Sequence, residues 1–169
     1  MRLFLRLLTV LAAALGLATL VCGSSLSDPP PAGTVCDASD DAPAAPKFVD
    51  KGDGTIARAD PRALRFQKEG ASGTRTWEGA REYCDALDLA GLKWRLPART
   101  DLESLIRECL VDRCRMEAPF TGPCGYYWTA EVEKADDADS PAGFTDMGFG
   151  GSGFDARDRE HHVRCVSDG

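Results

Sequence analysis

The sequence predicts an α+β fold, with two helices packed on short antiparallel strands and hairpins and with disulfides holding them together. Three observations carry this. Segments 76–89 and 100–110 repeat their apolar residues at helical spacing, as a helix with one buried face requires. Short aromatic and β-branched runs are bounded by Gly- and Asp-rich turns. Seven cysteines stand in 169 residues, behind a leader of the kind that directs export into an oxidising compartment.

The leader comes first. Arg2 and Arg6 precede the apolar run Leu7 to Val21, which is a basic region followed by a hydrophobic core of export-signal length. A membrane-spanning helix needs about 20 apolar residues, and this run is shorter. Cys22 follows Thr19-Leu20-Val21, in the manner of a bacterial lipoprotein signal, so residues 1–22 are expected to be an export signal with Cys22 as its lipidation site. Cleavage after Gly23 or Ser24 is the competing outcome. Without Cys22 the six other cysteines, Cys36, Cys84, Cys109, Cys114, Cys124 and Cys165, form an even set, and six allow 15 pairings. The spacing of Cys109, Cys114 and Cys124 lacks the C-x2-C of zinc ribbons.

Residues 23–46 hold five of the ten prolines and almost no large apolar side chain, so they read as a linker that buries too little to fold. As a loose coil they span roughly 25–30 Å. Once Arg2 and Arg6 leave with the signal, 18 basic residues face 27 acidic ones, a net charge of −9. With no basic stripe, that balance argues against a nucleic-acid partner.

The folded part, 47–167, opens with Phe48-Val49 and Thr55-Ile56 around DKGDG, which predicts a hairpin. A calcium loop counted from Asp50 would need Glu at its twelfth position, where Pro61 stands. From Thr76 to Leu89, the apolar residues Trp77, Ala80, Cys84 and Leu87 form one stripe. Thr76 is the expected N-cap and Gly91 the expected stop.

Gly91 to Ile106, GLKWRLPARTDLESLI, reads as a strand feeding a helix. Pro97 keeps Leu96 extended. Trp94 and Leu96 then face one way and Arg95 the other, toward a carboxylate or backbone carbonyls at the junction. Thr100 and Glu103 fit a capping box. Leu102, Leu105, Ile106, Cys109 and Leu110 continue it as an amphipathic helix, with Glu103 and Arg107 as an i,i+4 pair. Beyond this, 126–129 is an aromatic strand, 144–149 leads into a turn at Gly150-Gly151, and 162–166 is a final strand with Val163 and Cys165 on one face.

The residues assign no catalytic group and no resident cofactor. Gly148 to Gly153 matches G-x-G-x-x-G, but no apolar helical stripe follows, so it is a turn. His161 and His162 are adjacent, face opposite ways on a strand, and read as surface or edge residues. Asp136, Asp137 and Asp139 are the one candidate set for Ca2+, set against a solvated acidic loop. Trp77, Trp94, Tyr126, Tyr127 and Trp128 divide between core and a candidate sugar-stacking surface.

The segments 48–56 (FVDKGDGTI), 76–84 (TWEGAREYC), 91–105 (GLKWRLPARTDLESL), 126–130 (YYWTA) and 161–166 (HHVRCV), taken in this order, resemble the Lcl C-terminal domain family of bacteria, a family of unknown function. The resemblance implies a C-type-lectin-like fold, related to formylglycine-generating enzymes. It also implies a crosslink between the first helix and the last strand, here Cys84 with Cys165. Cys36, Cys109, Cys114 and Cys124 are then left with three possible pairings. The enzymes' copper-binding cysteine pair has no counterpart here, nor has the Glu-Pro-Asn or Gln-Pro-Asp calcium motif of true lectins. The expected protein is an exported binding or adhesion module. It sits in the periplasm, in the outer membrane as a lipoprotein, or at the cell surface, and touches the membrane only through its N-terminal anchor. Its expected partner is a glycan or an envelope protein. The alternatives are a structural envelope lipoprotein domain without a small ligand and, behind it, an oxidase of the formylglycine-generating type.

Overall fold

Local chemistry starts the fold at the first turn. Asp50 Oδ1 accepts the Gly52 N–H at 2.9 Å, and Asp53 Oδ1 accepts from the Thr55 N–H and hydroxyl. Gly52 and Gly54 take left-handed φ values of 75° and 83°, which glycine adopts at no steric cost. The turn joins β1 (Phe48–Asp50) to β2 (Thr55–Arg58), as the hairpin reading expects. The computed structural model describes residues 47–59, 64–111, 113–135 and 137–169, with backbone alone for 109–111. The export signal, Cys22, the linker with Cys36, and Asp136 lie outside the described residues.

The described chain is α+β, with antiparallel strands, two helices and disulfides. β3 (Arg65–Gln67) and β9 (Val166–Ser167) complete a four-stranded sheet in the order β1-β2-β3-β9. β4 (Ile106–Val111) and β5 (Cys114–Met116) form a two-stranded hairpin. β6 (Tyr126–Val132), β7 (Ala142–Asp146) and β8 (Ser152–Asp155) form the third sheet. The turn from β7 to β8 runs through Gly150 and Gly151, at φ 78° and 114°.

Helix α1 (Trp77–Asp85) is capped by Thr76, whose hydroxyl accepts the Gly79 N–H at 3.2 Å. Trp77, Ala80 and Cys84 are buried, and Leu87 packs at the margin of the same cluster. The helix ends at Asp85, six residues before the expected stop at Gly91. The intervening chain instead makes a turn with Ala90 and Gly91 at φ 53° and 67°.

The second helix departs further from expectation. α2 (Arg99–Glu103) has five residues, and Ala98 stands at its N-cap. Ala98 has no side-chain acceptor, so only the carboxylate half of a capping box is present: Asp101 Oδ2 accepts the Ala98 N–H at 2.9 Å. Thr100 and Glu103 do not fill the roles assigned to them. Glu103 accepts the Ser152 hydroxyl at 2.9 Å, and Arg107 pairs with Glu117 at 3.4 Å instead of with Glu103. From Ile106 the chain is strand. Ile106 pairs with Met116, Val111 with Cys114, and Glu117 N–H bonds to Leu105 C=O at 2.7 Å. Leu102, Leu105 and Ile106 keep helical spacing, but Leu105 and Ile106 are where the chain leaves the helix and meets its hairpin partner. A five-residue helix has little cooperative stability of its own, so the hairpin partner decides.

Two cores result, and β6 runs between them. Tyr127 enters the first with Ile56, Phe66, Leu102 and Phe120, where Phe48, Phe66 and Phe120 meet edge to face at 5.0–6.0 Å. Trp128 enters the second with Trp77, Trp94, Leu96, Val163 and Cys165. The three indole N–H groups are satisfied by carbonyls: Trp77 by Thr129 at 2.8 Å, Trp94 by Leu89 at 3.0 Å, and Trp128 by Arg75 at 2.7 Å. The C-terminal segment also runs between the cores. Regular strand there is Val166–Ser167, whereas His161 and His162 make single bridges to Arg75 and Tyr127. Val163 and Cys165 face the second core as expected, and Arg164 between them is fully buried toward the first.

The Cys84–Cys165 disulfide lies within the second core, and Cys114–Cys124 ties β5 to the loop before β6. With Cys114 joined to Cys124, one of the three pairings left open for Cys36, Cys109, Cys114 and Cys124 is half filled, and Cys36 and Cys109 are the two cysteines it does not assign. Cys36 and the Cys109 side chain lie outside the described residues. The two described bonds differ in access: Cys84 and Cys165 are buried, Cys124 is exposed. A reductant must reach a sulfur to attack it. Graded dithiothreitol under native conditions, trapped by alkylation and read by mass spectrometry, is therefore expected to label Cys114 and Cys124 well before Cys84 and Cys165. Simultaneous labelling would mean that global unfolding gates both.

Candidate functional site

Of the aromatic residues singled out in the sequence, Trp77, Trp94, Tyr127 and Trp128 are buried, and Tyr126 alone is open to solvent, at 45%. Cross-strand register sets its neighbours. Tyr126 lies opposite Asp146, Trp128 opposite Phe144, Phe144 opposite Gly153, and Ala142 opposite Asp155. Residues paired across strands share a face, as do residues two apart along one. One face of the third sheet therefore carries Tyr126, Trp128, Ala142, Phe144, Asp146 and Asp155; Trp128 and Ala142 are buried in the second core, and Tyr126 is exposed.

The rings on this face are held in place. Tyr126 stacks on Phe144 with centroids 4.5 Å apart and planes 26° from parallel. His161 meets Tyr126 edge-on at 5.4 Å and lies over Trp128 at 4.2 Å. A side-chain carbon at Gly153 would come within 3.0 Å of the Phe144 ring, so glycine there lets that ring lie across β8.

The sequence reading places both histidines at the surface or an edge. His161 is instead buried, at 9% exposure, because it fills the space between Trp128 and Phe144. Its Nδ1 lies 2.9 Å from Glu160 C=O and its Nε2 3.1 Å from Asp155 Oδ2, so both ring nitrogens face acceptors. Asp155 Oδ1 accepts the Ala156 N–H at 2.8 Å, and Asp146 Oδ1 accepts the Gly148 N–H at 2.8 Å. His162 points the other way, against Tyr127 at 5.3 Å. Burial, and then the neighbouring His161 charge, hold its imidazole below the usual range.

Arg95 behaves as the junction residue the sequence describes. Its backbone exchanges hydrogen bonds with Val166 at 2.9 and 3.0 Å. Its guanidinium forks onto Asp168 at 2.6 and 3.0 Å, and Nη1 reaches Leu96 C=O at 3.1 Å and Asp101 at 3.3 Å. The hydrogen bonds from Arg95 hold the Asp168 carboxyl below the usual carboxylate range. Arg95 also lines a cleft of about 460 Å³ with Trp77, Arg81 and Leu96.

In the acidic loop, Asp137 and Asp139 are exposed, and Asp137 Oδ1 accepts the Asp139 N–H at 3.0 Å. Asp139 borders a cleft of about 470 Å³ with Glu78, Arg157 and Asp158. Among the described residues, no three His, Cys, Asp or Glu side chains converge as a metal set. Among the same residues, no helix is long and apolar enough to cross a membrane.

The sequence reading missed Phe144, Asp146 and His161 as neighbours of Tyr126, and Asp155 as the partner of His161. A signal was present: Ala142-Phe144-Asp146 and Gly153-Asp155 have strand periodicity, but their register against β6 depends on where each turn falls. No curated protein matches the chain significantly. Residues 56–167, which hold both helices, strands β3 to β9, β2 but for Thr55, and the aromatic face, match the Lcl C-terminal domain, and the chain belongs to that family.

Proposed function

We propose that this chain is an exported binding module of the bacterial cell envelope, with a C-type-lectin-like domain tethered through Cys22 and the linker 23–46, and a glycan as its ligand. The observation that carries this is Tyr126, a solvent-open ring stacked on Phe144 and braced by His161. Such a ring offers an apolar face to the C–H side of a sugar and keeps a polar rim. Because its neighbours already hold it, little side-chain freedom is lost on binding. Asp146, directly across from Tyr126, and Asp155, bonded to the bracing His161, offer acceptors for hydroxyls on the same face. A binding role, in preference to a catalytic one, is supported by the polar groups themselves. His161 is engaged at both nitrogens and Arg95 is clamped by carboxylates.

The structural-domain reading has an observation of its own: Phe149, at the tip of the β7–β8 turn, is 73% exposed and offers an apolar contact to an envelope protein. A glycan array of the mature protein, with and without Ca2+, separates the two. The expected result is binding to a defined glycan set, reduced at least tenfold in Tyr126→Ala with the fold retained by circular dichroism. An empty array under both conditions would leave the structural domain as the better account.

A further inference from the structure

We infer that the Tyr126–Phe144 face selects glycans that carry free amino groups, such as de-N-acetylated amino sugars, over N-acetylated and acidic ones; this rests on the glycan assignment above. Two carboxylates share the face of the aromatic pair: Asp146 lies directly across from Tyr126, and Asp155 lies diagonally past Phe144, bonded to the His161 that braces Tyr126. Asp146 lies two residues from Phe144 along β7, and Asp155 two residues from Gly153 along β8. Each step of two residues is roughly 7 Å along a strand, so a sugar stacked on the rings has a carboxylate within reach of its substituents.

Each carboxylate has an internal partner, His161 and the Ala156 N–H for Asp155, and the Gly148 N–H for Asp146. Those contacts fix the oxygens in place, and a carboxylate has about four lone-pair sites, so each retains acceptor capacity toward solvent. An ammonium there gains a charge-assisted hydrogen bond and lies beside the open Tyr126 ring, where the ring quadrupole also favours a cation. An N-acetyl group forfeits the charge. A uronate or sulfate meets two fixed negative charges and a mature chain of net charge −9, with Arg115 beside Gly150 as an opposing cation on the turn beyond Asp146.

The test compares short oligomers of glucosamine, the same oligomers N-acetylated, and heparin fragments, by calorimetry on the mature protein. The expected order places the free-amine oligomers at least tenfold ahead of the N-acetylated ones and heparin last. Asp146→Asn, which keeps an oxygen for the Gly148 N–H, should cut the free-amine advantage several-fold, and Tyr126→Ala should remove binding. Equal affinity for free and acetylated oligomers, with Tyr126 still required, overturns the selectivity and leaves the glycan site standing. Preference for heparin does the same. Amine binding that survives Tyr126→Ala is bulk charge attraction and overturns the inference. Binding of none of the three, together with an empty array, removes the glycan site itself.

Discussion

Replacing Cys84 and Cys165 together by alanine should lower the unfolding free energy by about 4–5 kcal/mol, the value the chain-entropy description gives for a loop of this size. The two cysteines are 81 residues apart, so their bond restrains most of the domain in the unfolded state. In the folded state it joins α1 to the segment that passes between the two cores. Both sulfurs are fully buried, and their removal also leaves a small void among Trp77, Trp94, Trp128 and Val163. Guanidinium chloride unfolding of the double variant against the wild-type protein, read by tryptophan fluorescence, measures the loss. A shift in midpoint worth less than about 1 kcal/mol would show that packing alone holds α1 to the C-terminal segment.

The second large effect belongs to Arg164. Its side chain is fully buried and faces no carboxylate among the described residues. Nη1 donates to the carbonyls of Gln67 and Lys68, Nη2 donates to Thr121 C=O at 2.5 Å, and the guanidinium lies over the Phe120 ring at 5.1 Å. Burial pulls its pKa below the ordinary arginine value, as expected of a cation withdrawn from water. Swapping a whole buried ion pair for apolar groups can be harmless, because both partners leave. Here the partners are backbone carbonyls, which no substitution removes. Arg164→Met fills most of the volume and leaves the three carbonyls short of donors, so the expected loss is about 3–5 kcal/mol. Arg164→Lys keeps the charge but not the fork that serves carbonyls on two segments, so it should fall between wild type and Arg164→Met. Denaturant midpoints give the size. Faster amide exchange around 67–69 and 121 would place the damage. If Arg164→Met matches wild type, the guanidinium is not what joins these segments.

These two sites show why the domain resists being read element by element. Arg164 sits in HHVRCV, where alternation correctly sends Val163 and Cys165 to one core. The same alternation suggests that the charged residue between them meets water. It does not, because this segment passes between two cores and has no solvent side. Tyr126 and Trp128 are a second instance. They share a face by strand periodicity, yet one is open and the other closed, because Trp128 is packed among Trp77, Trp94 and Val163 with His161 over its ring, whereas Tyr126 meets His161 edge-on and stacks on Phe144. Cysteine pairing follows the same logic. Spacing allows many partners, and proximity in the folded chain selects Cys84 with Cys165 and Cys114 with Cys124.

What the sequence by itself determined is what a few neighbouring residues can settle through their own backbone bonds. That covers the Asp- and Gly-built turn at 51–54, the Thr76 cap and buried stripe of α1, the extended 94–96 segment ahead of Pro97, and the glycine turn into β8. The tertiary structure alone decided where α2 yields to β4, that Arg164 is buried, and that Tyr126 is left as the open ring. Each of those depends on which distant segment arrives to take a hydrogen bond or cover a face. Apolar spacing cannot carry that information: Leu102, Leu105 and Ile106 keep helical spacing, yet the chain becomes strand at Ile106, where Met116 arrives to pair with it.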